Sequence, residues 1–450
     1  MPASRSKPVD LLRSVELIHE HLTDALCQDV YAKHRVRERE RIWTLKRLAE
    51  FWSQVALRTP TSLTQMLQER PAGADAGSRT PPPSPQGLFF RSRRMRPEFM
   101  RDVHAAFCER ALSRRRPAFA RPIHPLLKRF AGLRAIDGSK LDAVAHRLKI
   151  LWKSRAVILP GAIVAHYDIA YGVVRYIDFS ADAAASELRS AVRSLEGVPA
   201  GTLFVADRLY GNAAFFSELS QRGLFGVVRH NRTLGLKGVR VLSRRRHAGG
   251  VLEDRLVQAG SGQQTEPQTL RRITWQKGRI KRELLTNVLD PERLSAQEAL
   301  GLYPLRWQVE RLFFDLKETL DLRRFYTANP NGVAMQVYGA AIVHTALRIA
   351  QAEIAREVDL EPEALSIPKL FPRVAAASEC VAAAKIVLDA TVRLNPGVRI
   401  RKPDLHEFPF TSTTLGAIRV QKRKGPRRAK RFCKARRTWK RFPGSKQRES

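Results

Sequence analysis

The chain has 450 residues, 44% of them hydrophobic, which suffices for at least one sizeable core and excludes an intrinsically disordered protein. Eighty Lys and Arg against 43 Asp and Glu leave a formal net charge of +37. An excess of that size repels itself and calls for an anionic partner, nucleic acid first, because basic side chains displace condensed counterions from phosphates. A basic protein that only coats nucleic acid or a membrane surface would carry the same charge. The four cysteines, at 27, 108, 380 and 433, form neither a Cys-x-x-Cys nor a zinc spacing, so they read as reduced thiols filling the core of a cytoplasmic protein. Met1–Asp10 holds no apolar run, so no signal peptide is expected. Val333–Ala352 is the most apolar helical stretch, but it contains Gln336, His344 and Arg348 and reads as a buried helix rather than a membrane span.

In chain order, residues 8–58 carry two helical patterns, Leu11, Leu12, Val15, Leu17 and Ile18, then Ile42, Leu45, Leu48 and Phe51. Between them Arg35–Arg41 is dense in charge, as suits either a solvated helix face or a helical DNA-binding module. Residues 71–87 are rich in Ala, Gly, Ser and Pro (Arg79-Thr-Pro-Pro-Pro-Ser-Pro) and read as a linker. A second helical piece is expected at about 97–130, with Arg114–Arg116 as a basic cluster. From Leu133 the texture turns to strands: Leu133–Ile136, Ala162–Tyr167 and Val173–Phe179. A helix over Ala183–Leu195 follows, then the apolar run Thr202–Ala206, which suits a strand buried on both faces. A helix over Ala213–Arg222 and a strand over Leu224–Arg229 complete an α/β mixed sheet flanked by helices. Residues 232–290 hold four short strands between polar turns, a β-rich insertion. Pro304–Leu320 reads as a helix begun by Pro304, and further helices run to about 394. From Arg419 the chain is dominated by Lys and Arg, a basic tail that either solubilises the protein or contacts a nucleic-acid backbone.

Three carboxylates could do chemistry. Asp137 and Asp207 each end an apolar run, Leu133–Ile136 and Leu203–Ala206. Ligands commonly lie at strand ends of such sheets, and a carboxylate beside a buried strand is costly unless paired or metal-bound. A strand-terminal Asp also serves as an ordinary turn residue. On the helix after Pro304, Arg306, Glu310 and Lys317, with Tyr303 just before, are spaced by three, four and seven residues. At about 100° per residue they fall within a sector of roughly 60° that borders the apolar face, with Asp315 and Glu318 pointing away. Glu310 is therefore the acid of interest, and Arg306 and Lys317 suit phosphate oxygens. An amphipathic helix with an Arg–Glu pair would show the same spacing. Phosphodiester cleavage needs an activated nucleophile and a stabilised leaving oxygen, which two Mg²⁺ ions held by two or three carboxylates supply.

Ile136-Asp-Gly-Ser, Val205-Ala-Asp-Arg-Leu-Tyr and the Tyr303, Arg306, Glu310, Lys317 spacing resemble the three boxes of the insertion-sequence-4 type of DDE transposase. Leu285-Thr-Asn-Val-Leu-Asp-Pro and Leu302-Tyr-Pro-Leu-Arg-Trp-Gln-Val-Glu-Arg-Leu-Phe add to the resemblance, which covers about residues 130–350. It implies an RNase H-like core with a β-rich insertion, flanked by helical N- and C-terminal regions. It implies two Mg²⁺ ions, replaceable by Mn²⁺, on Asp137, Asp207 and Glu310, and phosphate contacts from Tyr303, Arg306, Lys317 and Arg208. The family's insertion often supplies a Trp that stacks on a flipped base; Trp275 is the candidate, and a core role suits it equally.

The resulting partition is a helical DNA-binding region (1–70), a linker (71–95), a helical connector (96–130), the core (131–231 and 291–350) around the insertion (232–290), C-terminal helices (351–400) and the basic tail (401–450). The expected function is cut-and-paste transposition of an insertion sequence. The expected partners are double-stranded DNA, as terminal inverted repeats and target, and a second copy of the chain on DNA ends, with no membrane. The expected setting is the bacterial cytoplasm at the nucleoid. Two rivals stand: a former transposase kept only for DNA binding, and an RNA-binding or ribosome-associated basic protein, which explains the charge but not the acid placement.

Overall fold

A computed structural model describes residues 13–68, 84–141, 161–260 and 267–376. The start of the first helical pattern, most of the linker, Cys380, Cys433, the last of the expected helices and the basic tail lie outside them. Helices α1 (Arg13–His21), α2 (Asp24–His34), α3 (Leu45–Arg58) and α4 (Leu63–Gln68) open the described chain. Thr23 and Thr44 cap α2 and α3 by accepting from the N–H groups of Leu26 and Arg47. Arg35–Arg41 is not helical. The Glu38 carboxylate takes the N–H groups of Val36 and Arg37 at 2.8 and 3.1 Å, and its carbonyl accepts the Tyr31 hydroxyl, so local bonds replace helical ones there. α5 (Pro85–Arg94) starts already inside the Pro-rich stretch, with Ser84 as cap and Pro85 in the first turn. α6 (Pro97–Leu112) follows, and the rest of the expected second helical piece is a loop and a 3₁₀ turn, Arg121–Lys128.

Nine strands form one sheet in the order β3-β2-β1-β4-β5-β9-β8-β7-β6. β1 (Gly132–Lys140), β2 (Ala162–Asp168) and β3 (Val173–Ser180) form an antiparallel meander. α7 (Glu187–Ser194) then crosses to β4 (Thr202–Ala206), which lies parallel to β1, and α8 (Ala213–Gln221) leads to β5 (Phe225–Arg229), parallel to β4. β6 (Leu236–His247), β7 (Gly250–Ala259), β8 (Gln268–Lys277) and β9 (Ile280–Thr286) are the four strands expected of the insertion. The first three are longer than the sequence suggested, and β9 pairs antiparallel with β5, so the insertion extends the core sheet rather than standing apart.

Alternation along the strands sends Ile136, Phe204, Ala206 and Val228 to one face, where Ala191 and Leu195 of the α7 region and Phe215, Phe216 and Leu219 of α8 cover them. The other face is covered from the C-terminal half. α9 (Ala296–Leu302) is capped by a reciprocal Ser295–Glu298 box. The run continues through a 3₁₀ turn (Tyr303–Arg306), α10 (Trp307–Phe314) and a π turn (Asp315–Thr319). Pro304 therefore does not start this helix; it tightens it, because the missing N–H falls where the ladder changes from α to 3₁₀. α11 (Pro330–Glu357) packs against α3, α6 and β3, and its apolar stretch, long enough to cross a membrane, is wholly buried in protein. A Cβ on Gly339 would lie 2.7 Å from the Trp52 backbone, so only glycine allows α11 and α3 to cross this closely. Arg348 of α11 is buried with partners, donating to the Gly172 carbonyl and the Tyr167 hydroxyl at 2.7 Å each.

Arg271, fully buried in β8, pairs with Asp254 of β7 and donates to the carbonyls of Val288 (3.0 Å) and Leu294 (2.8 Å). It thereby anchors the segment that leads from β9 into α9. Arg271→Met leaves Asp254 charged and unpaired and is expected to cost about 3–5 kcal/mol in urea unfolding, whereas adding Asp254→Leu recovers part of that loss.

Candidate active site

Parallel pairing of β1 with β4 stops at Ala135, opposite Val205, and the two strands part there. Asp137 lies two residues beyond that point, still paired to β2, and Asp207 immediately follows β4. The parting of neighbouring strands opens the sheet at the carboxyl ends of parallel strands. Asp137 is therefore within β1 rather than at its end, as the strand runs on to Lys140. Its Oδ1 accepts the Gly138 N–H at 3.0 Å and its Oδ2 accepts Arg306 Nη1 at 3.1 Å. Asp207 caps the short turn Arg208–Tyr210, with Oδ1 accepting the Leu209 N–H at 2.6 Å.

The 3₁₀ turn and α10 bring the remaining expected residues to the same place. Arg306, buried, donates to Asp137 and, through Nη2, to Glu310 Oε1 at 2.6 Å. One guanidinium thus bridges the acid of the first box and the acid of the third. Tyr303 stands against Arg306 and Arg229, with burial raising its hydroxyl above the usual tyrosine range. Lys317 lies in the π turn, not on a straight α-helix, and still reaches β1: its Nζ donates to Ser139 Oγ at 2.7 Å and to the Lys140 carbonyl. Burial holds its ammonium below the usual lysine range. Arg208 is exposed beside Asp207. Asp315, turned away from the stripe as expected, is not in solvent; it is buried with its Oδ2 3.6 Å from His344 Nε2 of α11. Trp275 stands apart, in β8 of the insertion, with Nε1 donating to the His247 carbonyl at 2.9 Å and Arg282 against its ring.

Two further residues enter: Glu187, which sequence reasoning did not single out, and Tyr210, which the second box included without a role. Glu187, the first residue of α7, accepts the Tyr210 hydroxyl at 2.9 Å and shares the field of Asp137 and Asp207. Tyr210 is wholly buried. Tyr210 lies in the second box, but Glu187 carries no local sequence signal, since their meeting depends on how α7 is laid across the sheet.

Burial pushes the Asp137 carboxyl up to about 7; Arg306 opposes that shift, while Glu187 and Asp207 add to it. The donor set suits a hard cation, being carboxylate oxygens in a partly desolvated cleft. In the arrangement at hand, however, no three carboxylate, imidazole or thiolate groups among the described residues converge on one point, and the cation between Asp137 and Glu310 is Arg306 itself. The site thus holds bridged acids and a buried guanidinium, with Tyr303 against Arg306 and Lys317 on Ser139 and the Lys140 carbonyl.

Residues 134–346 match the family model of the transposase DDE domain. That stretch includes every residue of the site just described and amounts to a little under half of the chain. A protein of Sinorhizobium fredii that carries a provisional transposase name, y4zB, is 30% identical over 157 residues, or 34% of this chain and 44% of that protein. The match thus spans less than half the length of this curated relative. Among solved structures, the piggyBac transposase synaptic complex with hairpin DNA aligns over 89% of this chain and 86% of its own, at 12% identity and a TM-score of 0.37, a similarity too low to bear on the fold.

The raised Asp137 carboxyl makes a stability prediction for the metal-free protein. The folded state holds this proton more tightly than the unfolded chain does. The resulting stabilisation is complete below the ordinary carboxylate range, near pH 4, and is lost as pH rises through about 7. Asp137→Asn removes that dependence, so the variant should gain on the wild type by up to a few kcal/mol between about pH 4 and pH 7 in thermal melts.

Proposed function

We propose that this chain is a DDE transposase of the insertion-sequence-4 type, which cuts the ends of a mobile DNA element and joins them to new DNA. The observation that carries the reading is that Arg306 joins Asp137 of β1 to Glu310 of α10, with Asp207 close enough to act on the Asp137 carboxyl, inside the stretch that matches the transposase DDE domain. The strand order β3-β2-β1-β4-β5, with its antiparallel meander followed by parallel strands, supports an RNase H-like core.

In this reading Asp137, Asp207 and Glu310 hold two Mg²⁺ ions, or Mn²⁺ in their place. Bound there, the metal activates water or a 3′-hydroxyl and stabilises the leaving oxygen. Arg306 has a second task. While it bridges Asp137 and Glu310 it offsets one of their two negative charges, and a DNA phosphate is the anion that compensates it when it turns outward. Tyr303, Arg208 and Lys317 rim the opening and suit the phosphates of the same end. Trp275 is the insertion's candidate for stacking on a flipped base, and its Nε1 is bonded to the His247 carbonyl. The charge of +37 suits double-stranded inverted repeats and target DNA. A pair of chains, each on one end, would act in the bacterial cytoplasm at the nucleoid.

A retired DNA-binding protein draws on one observation, the occupation of the space between Asp137 and Glu310 by Arg306. Excision of a marked mini-element in bacterial cells separates the two. The element carries the inverted repeats that flank this gene. The wild type should excise it, while Asp137→Ala, Asp207→Ala and Glu310→Ala should each reduce excision to background and leave binding of end DNA within about tenfold. No excision by the wild type, with end binding intact, supports the retired protein. Excision surviving one substitution removes that residue from the site.

A further inference from the structure

The turn after β4 and the far end of β1 belong to different strands, and the ladder that joins β1 to β4 has stopped at Ala135 and Val205 before either is reached. Something else must set how far apart Asp137 and Asp207 stand. Glu187 lies between the two elements. Its carboxylate accepts the hydroxyl of Tyr210, three residues past Asp207, at 2.9 Å. On its other side it is pressed onto β1 at the residue after Asp137: a Cβ added to Gly138 would fall 2.4 Å from Glu187 Cδ and 2.7 Å from Oε2. Gly138 is thus the space through which the carboxylate reaches β1. Tyr210 cannot move away to accommodate a loss, being wholly buried with its ring edge-on to Phe215 at 5.2 Å. The start of α7 is fixed as well, by the Ser186 cap and by Lys140 Nζ donating to the Ala185 carbonyl at 3.3 Å.

We propose that Glu187 is a positioning residue of the acidic site, a clamp that fixes the Asp137 end of β1 against the Asp207 turn through Gly138 and Tyr210. This inference rests on the reading of Asp137 and Asp207 as cation-binding acids. The clamp works through the oxygen that accepts from Tyr210 and through shape, so the side-chain amide introduced by Glu187→Gln would serve in its place, and the methyl left by Glu187→Ala would not. A partner that orients metal-binding side chains typically affects metal affinity or activity by about 10- to 100-fold. Gly138→Ala would expel the carboxylate and remove the same clamp, so its effect and that of Glu187→Ala should be non-additive.

The test uses the full-length chain with two readouts, Mn²⁺ binding to the DNA-free protein by electron paramagnetic resonance and cleavage of double-stranded end DNA. Glu187→Ala should weaken Mn²⁺ binding by about tenfold or more and slow cleavage in parallel, with end-DNA binding unchanged. Glu187→Gln should stay near the wild type in both, and Tyr210→Phe, which removes only the hydroxyl, should move both in the direction of Glu187→Ala. Wild-type affinity in Glu187→Ala, or an equal loss in Glu187→Gln, would overturn the clamp. The expected Mn²⁺ pattern in a wild type that cuts no DNA would sustain the clamp and overturn the transposase reading instead.

Discussion

The arrangement depends on a charge problem. Asp137 and Glu310 sit at a partly desolvated sheet opening, with Glu187 and Asp207 adding negative charge around Asp137. Carboxylates so placed must be protonated, paired or metal-bound. The protein answers with a buried guanidinium: Arg306 takes Asp137 on one nitrogen and Glu310 on another. The capping box at Ser295 starts the run that, through the 3₁₀ turn around Pro304, carries that guanidinium. An ion pair between residues 169 positions apart also makes the site a consequence of the whole fold rather than of any one segment.

The nine-stranded sheet supplies the rigid frame for this pairing. β5 passes its register to β9, and Arg271 ties β8 to the segment between β9 and α9. The four strands of the insertion therefore do more than fill the interval between Asp207 and Glu310. They carry the chain across the sheet and deliver α9 and α10 at a fixed place. Sites built on sheets and packed helices hold their geometry more tightly than sites on loops.

Much of the candidate site was legible in the sequence because its signals are local. Asp137 and Asp207 follow apolar runs that suit buried strands, and the intervals among Tyr303, Arg306, Glu310 and Lys317 place them along one side of a helix. The four insertion strands were legible from their turns. What stayed hidden depends on contacts between distant segments. Glu187 follows a run of Ala and Ser and looks like any first-turn acid; only Gly138 and Tyr210 give it a role. Asp315 looks like a surface residue until α11 brings His344 beside it. Pro304 read as a helix start because its missing N–H is tolerated there, but the stronger Ser295–Glu298 cap places the start earlier. The π turn leaves no mark in composition, and it puts Lys317 on Ser139 and the Lys140 carbonyl rather than on an open stripe.

In the proposed function one site takes acids, an exchangeable guanidinium and DNA. Its most direct test is diffraction at the manganese absorption edge from crystals of the protein bound to its double-stranded terminal repeat. The expected result is manganese on Asp137 and Asp207, with Arg306 released from Asp137 onto a DNA phosphate. Arg306 still joining Asp137 to Glu310 with DNA in place, and manganese found only elsewhere, would contradict it.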